Sequence, residues 1–155
     1  MIDTPHITET VAQPVARIHL LVTREEMQHV IGPGIGEIMS VLSAQGIAPA
    51  GPWLTHHRRR PTDTFDFHIC VPVSAPVTAS GRVEPGELPA ASVARTVHHG
   101  DYTGLAAAWG ELMAWLETQG VRPADDLWEV YRVGPESGGA PSTWCTELNR
   151  PLLPA

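Results

Sequence analysis

The chain has 155 residues, with ten arginines, no lysine and 17 acidic residues, for a formal net charge of −7. With 43% apolar and only 17% charged residues it is not a disordered chain, and a domain of this length buries roughly 68–70% of its unfolded surface. Nucleic-acid binding needs a positive stripe, and the single basic run, Arg58-Arg59-Arg60, stands in a negative field, so nucleic acid is excluded as a direct partner. The opening residues lack the apolar core of a signal peptide, and no stretch is long and apolar enough to span a membrane. Cys70 and Cys145, without a CxxC, make no disulfide framework. The expectation is a cytoplasmic protein that touches no membrane.

In chain order, Val15–Val22 reads as a strand. Met27, Val30, Ile31, Ile35, Ile38, Met39 and Leu42 then recur on one helix face. Pro33 reads as a first helical position after a short preceding turn of helix, and Gly46 as a left-handed stop. The run Arg58–Arg60 before Pro61 has the composition of a hairpin turn, and Phe65–Val71 is a strand closing at Pro72. The stretch Ser74–Ala91 is linker-like. Ser92–His98 reads as a strand, Thr103 as an N-cap, and Leu105, Trp109, Leu112, Met113 and Leu116 as a helix face ending at Gly120. Two more strands follow, through Leu127–Arg132 and Thr143–Arg150, the last closing at Pro151.

The two halves repeat one another. Segments 43–58 and 117–132 align without gaps at an offset of 74, sharing Gln45/Gln119, Gly46/Gly120, Pro49/Pro123, Ala50/Ala124 and Arg58/Arg132. Each half reads strand, helix, strand, strand. The expected fold is α+β: a largely antiparallel sheet with two helices on one face and a central groove on a pseudo-two-fold axis. One domain spans residues 1–155, with pseudo-repeats at about 6–73 and 92–152.

Chemistry-bearing motifs are few. Gly32, Gly34 and Gly36 form GxGxG within a helical pattern, around Pro33, which is not a phosphate loop. The pairs His56–His57 and His98–His99 lack chelating spacing, so no metal is expected. No GxSxG or recognisable nucleophile context is present, and nothing calls for a cofactor. In the strand Leu127–Arg132, Glu129 shares a face with Leu127 and Tyr131, whereas the equivalent position of the first half is Thr55. Two readings stay open. Glu129 is a partly buried carboxylate awaiting a cationic aromatic ligand, or an edge-strand carboxylate paired with an arginine. Of five tryptophans, Trp109 and Trp115 lie about 120° apart on one helix, and Trp53 and Trp144 are the better groove-wall positions.

The stretch His99-Gly100-Asp101-Tyr102, the helix with Ala108-Trp109 and Trp115-Leu116, then Gly120, Trp128-Glu129-Val130-Tyr131 and Glu147-Leu148-Asn149-Arg150-Pro151-Leu152, resembles the GyrI-like small-molecule-binding family. This module also forms the effector-binding half of AraC- and MerR-type multidrug regulators. The resemblance implies a duplicated fold whose groove glutamate, here Glu129, pairs with lipophilic cations. The expected ligand contacts are Glu129, Tyr131, Tyr102, Trp53, Trp109, Trp144 and His57, of which the resemblance implies Glu129, Tyr131 and Tyr102, while the first half departs from the family in offering Trp53 and His57 in place of tyrosines. No helix-turn-helix precedes the module, so a stand-alone binding protein is expected, monomeric or homodimeric, for small cationic or planar aromatic molecules. Some members resemble hydrolases that open the cyclopropane ring of DNA-alkylating natural products, where Glu129 and Tyr131 would be the acid/base pair. Others act on partner proteins such as gyrase, which implies an interaction module as a third alternative.

Overall fold

The computed structural model describes residues 2–154. Eight strands and two long helices follow one another as β1 (His6–Glu9), β2 (Gln13–Thr23), α1 (Arg24–Gln45), β3 (Leu54–His57), β4 (Thr64–Pro72), β5 (Glu84–Leu88), β6 (Ser92–His99), α2 (Leu105–Gln119), β7 (Leu127–Val133) and β8 (Cys145–Pro151). They divide into two compact units, residues 11–90 and residues 1–10 with 91–155. No helix among the described residues is long and apolar enough to cross a membrane.

In residues 11–90 the antiparallel strand order is β3-β4-β2-β5. Alternation sets the inner face of β2: Ala16, Ile18 and Val22 are buried with Ile38 and Leu42 of α1 and Phe67, Ile69 and Val71 of β4. Thr23 opens α1, its backbone N–H donating to Glu26 Oε1 at 2.9 Å, and Gly46 closes it at φ 69°. The helix runs unbroken through Pro33, which corrects the expected restart there. The glycine run sits inside this helix, and a Cβ on Gly34 would lie 2.5 Å from Ile69 Cδ1. Close approach of helix to sheet is the use of Gly34 alone, since a Cβ on Gly32 or Gly36 would meet nothing within 4 Å. Arg59 staples the β3–β4 turn by donating to the Thr64 carbonyl and Oγ1 at 3.1 and 2.6 Å. The stretch read as a linker contains β5, which pairs with β2.

In the other unit the order is β1-β6-β8-β7, again antiparallel. Strand-helix-strand-strand therefore recurs as β2-α1-β3-β4 and β6-α2-β7-β8, the expected duplicated α+β fold. Each unit adds one edge strand, and β1 pairs with β6, so residues 6–9 belong with the second repeat, not the first. Ala108, Trp109, Leu112 and Leu116 of α2 pack on Ala94, Leu127 and Leu148. Asp101, not Thr103, caps the approach to α2: its carboxylate accepts from the Thr103 N–H at 3.2 Å before a 3-10 turn at Tyr102–Gly104. Gly120 ends α2 at φ 66°. The segment before Cys145 forms another 3-10 turn at Pro141–Thr143, so β8 starts two residues later than its sequence pattern implies.

Candidate functional site

Pairing builds the site from three strands. Glu129 and Tyr131 of β7 lie opposite Leu148 and Thr146 of β8, which lie opposite Thr96 and His98 of β6. Leu148 packs with Trp109, so these two rows form the face that α2 covers.

Glu129 is buried, only 9% exposed. Trp109 Nε1 donates to its Oε2 at 2.7 Å, and the Tyr131 hydroxyl donates to its Oε1 at 2.6 Å. Burial pushes the Glu129 carboxyl above the usual carboxylate range; the bonds from Tyr131 and Trp109, and nearby His98, pull the other way. No arginine pairs with Glu129 among the described residues. That role falls to Glu147 on the opposite face of the sheet, which meets Arg132 and, at 3.3 Å, Arg95. Of the two readings the sequence left open, the geometry is that of the buried carboxylate.

Aromatic rings continue outward from this carboxylate. Tyr102 meets Tyr131 edge-on with centroids 5.6 Å apart, and Trp144 lies 5.0 Å from Tyr102. Burial, followed by the charges of Glu136 and Glu129, pushes the Tyr102 phenol up to about 12. Its hydroxyl lies over Gly134, where a Cβ would stand 2.6 Å away. Four polar atoms here are buried without a hydrogen-bond partner among the described residues: Tyr102 Oη, Trp144 Nε1, Thr146 Oγ1 and His98 Nδ1.

Five of the expected contact residues thus come together: Glu129, Tyr131, Tyr102, Trp109 and Trp144. Trp53 and His57 belong to residues 11–90. Trp53 is half-buried against that unit's core, and His57 stacks on Phe67 at 5.2 Å with its Nε2 3.0 Å from Thr55 Oγ1. Burial lowers His57 to about 4, so its ring is neutral near pH 7. Sequence reasoning missed Thr146 and His98, whose place depends on cross-strand register. It also placed no histidine pair near a cysteine, yet β6–β8 pairing sets Cys145 Sγ 3.5 Å from His99 Nδ1, whose Nε2 is 2.9 Å from Asp3 Oδ1. Among the described residues no group of three or more His, Cys, Asp or Glu is arranged to hold a metal ion.

The model of the GyrI-like small molecule binding domain matches residues 3–152. The chain belongs to the GyrI-like family. Among solved structures, this GyrI-like domain is similar to the EcmrR C-terminal domain, at 22% identity, TM-score 0.86 and 98% coverage of both chains. Against EcmrR in its DNA complex it is 21% identical with TM-score 0.87, and the domain spans 58% of that regulator's length. SAV2435 bound to tetraphenylphosphonium is similar at 12% identity and TM-score 0.65, covering 97% of this chain and 94% of that one. A hydrolase from Listeria innocua is similar at 14% identity and TM-score 0.68, covering 96% and 91%. At these identities the likeness is one of fold. No curated protein matches by sequence.

Proposed function

We propose that this GyrI-like domain captures amphipathic cationic or planar aromatic molecules, using Glu129 for charge and Tyr131, Tyr102, Trp109 and Trp144 for aromatic contact. One observation carries the reading: a buried carboxylate that, among the described residues, accepts hydrogen bonds from two neutral donors and pairs with no arginine. Such a charge is costly to keep out of water unless a cation compensates it. A delocalised aromatic cation does so while its faces meet the ring edges and faces beside it. The tetraphenylphosphonium held by SAV2435, on the same fold, is a ligand of this chemistry. Calorimetric titration with tetraphenylphosphonium tests it. Glu129→Gln keeps size and removes charge, and is expected to weaken binding about tenfold or more; equal affinity in the variant overturns the charge role.

The 2.6 Å bond from Tyr131 to Glu129 favours a second reading, an acid/base pair that adds water across the strained ring of a cyclopropane-bearing alkylating compound. Glu129 would accept one proton of the attacking water as its oxygen bonds to a ring carbon. The breaking carbon–carbon bond would leave its electron pair on the departing side of the compound, which the Tyr131 hydroxyl would protonate, and the proton held by Glu129 would return to Tyr131. Incubation with such a compound in excess, followed by mass spectrometry, distinguishes the two. A product heavier by one water supports hydrolysis, and unchanged compound removes it.

A further inference from the structure

Buried polar atoms in native proteins are paired in the large majority of cases. Beside Glu129, four are unpaired among the described residues and all lie in one patch: Tyr102 Oη, Trp144 Nε1, Thr146 Oγ1 and His98 Nδ1. They are tied together by contact and register. Tyr102 packs against both Tyr131 and Trp144, and Thr146 lies between Tyr131 and His98 in one cross-strand row. Thr146 is fully buried and His98 is 4% exposed, so water does not satisfy them from outside.

The chemistry of the four atoms is lopsided. Trp144 Nε1–H can only donate, and the hydroxyls of Tyr102 and Thr146 donate or accept. His98 Nε2 lies 2.9 Å from the Asp101 carbonyl, which can only accept, so Nε2 carries a proton. Three protons, on Tyr102 Oη, Trp144 Nε1 and Thr146 Oγ1, are left to donate. Gly134 sharpens the point. Any side chain there would displace the Tyr102 hydroxyl from its position. The fold makes room for a hydroxyl and, among the described residues, gives it no hydrogen-bond partner.

We propose that Tyr102, Trp144 and Thr146 form a hydrogen-bonding subsite beside Glu129, which selects aromatic cations bearing a neutral acceptor such as a carbonyl or ether oxygen. This rests on Glu129 capturing a cation and adds what the rest of the ligand must carry. Tetraphenylphosphonium has no hydrogen-bonding group and reads the charge and ring contacts alone. Rhodamine 6G is a delocalised aromatic cation with an ester carbonyl and an ether oxygen, and reads the subsite as well.

The test measures the association constants of both probes by calorimetry on the whole chain, for the wild type, Tyr102→Phe and Thr146→Val. Both substitutions delete a hydroxyl and keep the shape. The ratio of rhodamine 6G to tetraphenylphosphonium affinity is expected to fall about fivefold in each variant, the size of one neutral hydrogen bond. The melting temperature of the unliganded protein is expected to hold or rise, since an unpaired buried hydroxyl has been removed. An unchanged ratio in both variants overturns the subsite, as does a clear drop in unliganded melting temperature, which would mean the hydroxyls already have partners. Glu129→Gln keeps the two readings separable. If it weakens both probes while the ratio never moves, the subsite alone fails; if the ratio moves but Glu129→Gln does nothing, the charge role alone fails. Binding of neither probe to the wild type overturns both.

Discussion

Ionisation of the Glu129 carboxyl is opposed by its burial in the unliganded protein and would be favoured by a bound cation. Burial raises its folded-state pKa above the ordinary 4.5, so between these two values the folded chain holds a proton that the unfolded chain has released. Stability is therefore greatest below that window and falls as pH rises through it. Cation binding has the opposite sign, because it favours the ionised carboxylate. Tetraphenylphosphonium affinity should rise with pH through the same window and level off above it. Trp109→Phe removes one of the two bonds that hold the ionised form, a loss of about 1.5–3 kcal/mol for a hydrogen bond to a charged group. The rise should then move to higher pH, and affinity near neutrality should drop. Titrations across pH on both proteins check this; a flat profile in each would mean that Glu129 is not the group read by the ligand.

At the scale of elements, α1 tolerates a proline that its packing does not need. Pro33 is exposed and lies inside the helix, where it cannot donate to the His29 carbonyl one turn earlier. Pro33→Ala restores that bond and leaves no cavity, so urea denaturation should show a gain of about 1 kcal/mol or more; a loss would show that the proline shapes the helix for its contact with the sheet. The same helix marks how far the sequence could be read. Its apolar face from Met27 to Leu42 and its stop at Gly46 were legible because periodicity and a left-handed glycine are local signals. Its continuity through Pro33 was not, since α1 packing on β2 and β4 overrides the local penalty. The same division holds for strands. Alternation placed Glu129 and Tyr131 on one face, but only pairing across β6, β8 and β7 brings Thr146 and His98 beside them. Nor did composition disclose β5 within a proline- and glycine-rich stretch, because an edge strand gets its partner from β2, far away in sequence.

For the whole molecule, the net charge of −7 acts on a ligand differently from Glu129 itself. Several arginines are already engaged with acids, Arg17 with Glu84, Arg82 with Glu37, and Arg95 and Arg132 with Glu147. The surplus is acidic, mostly solvated, and acts through water over a screening length of about 10 Å at 0.1 M salt. A buried carboxylate in direct contact with a cation is screened far less. Salt therefore separates the two contributions. Tetraphenylphosphonium association should slow severalfold between low and high salt, whereas neutral triphenylphosphine oxide should show no such dependence. Glu129→Gln should weaken tetraphenylphosphonium binding at every salt concentration yet keep most of the wild-type salt slope. Stopped-flow measurements of tryptophan fluorescence supply both numbers. A flat wild-type slope would leave the acidic surface without a part in capture, and a slope that vanished with Glu129 would assign the whole attraction to that one buried carboxylate.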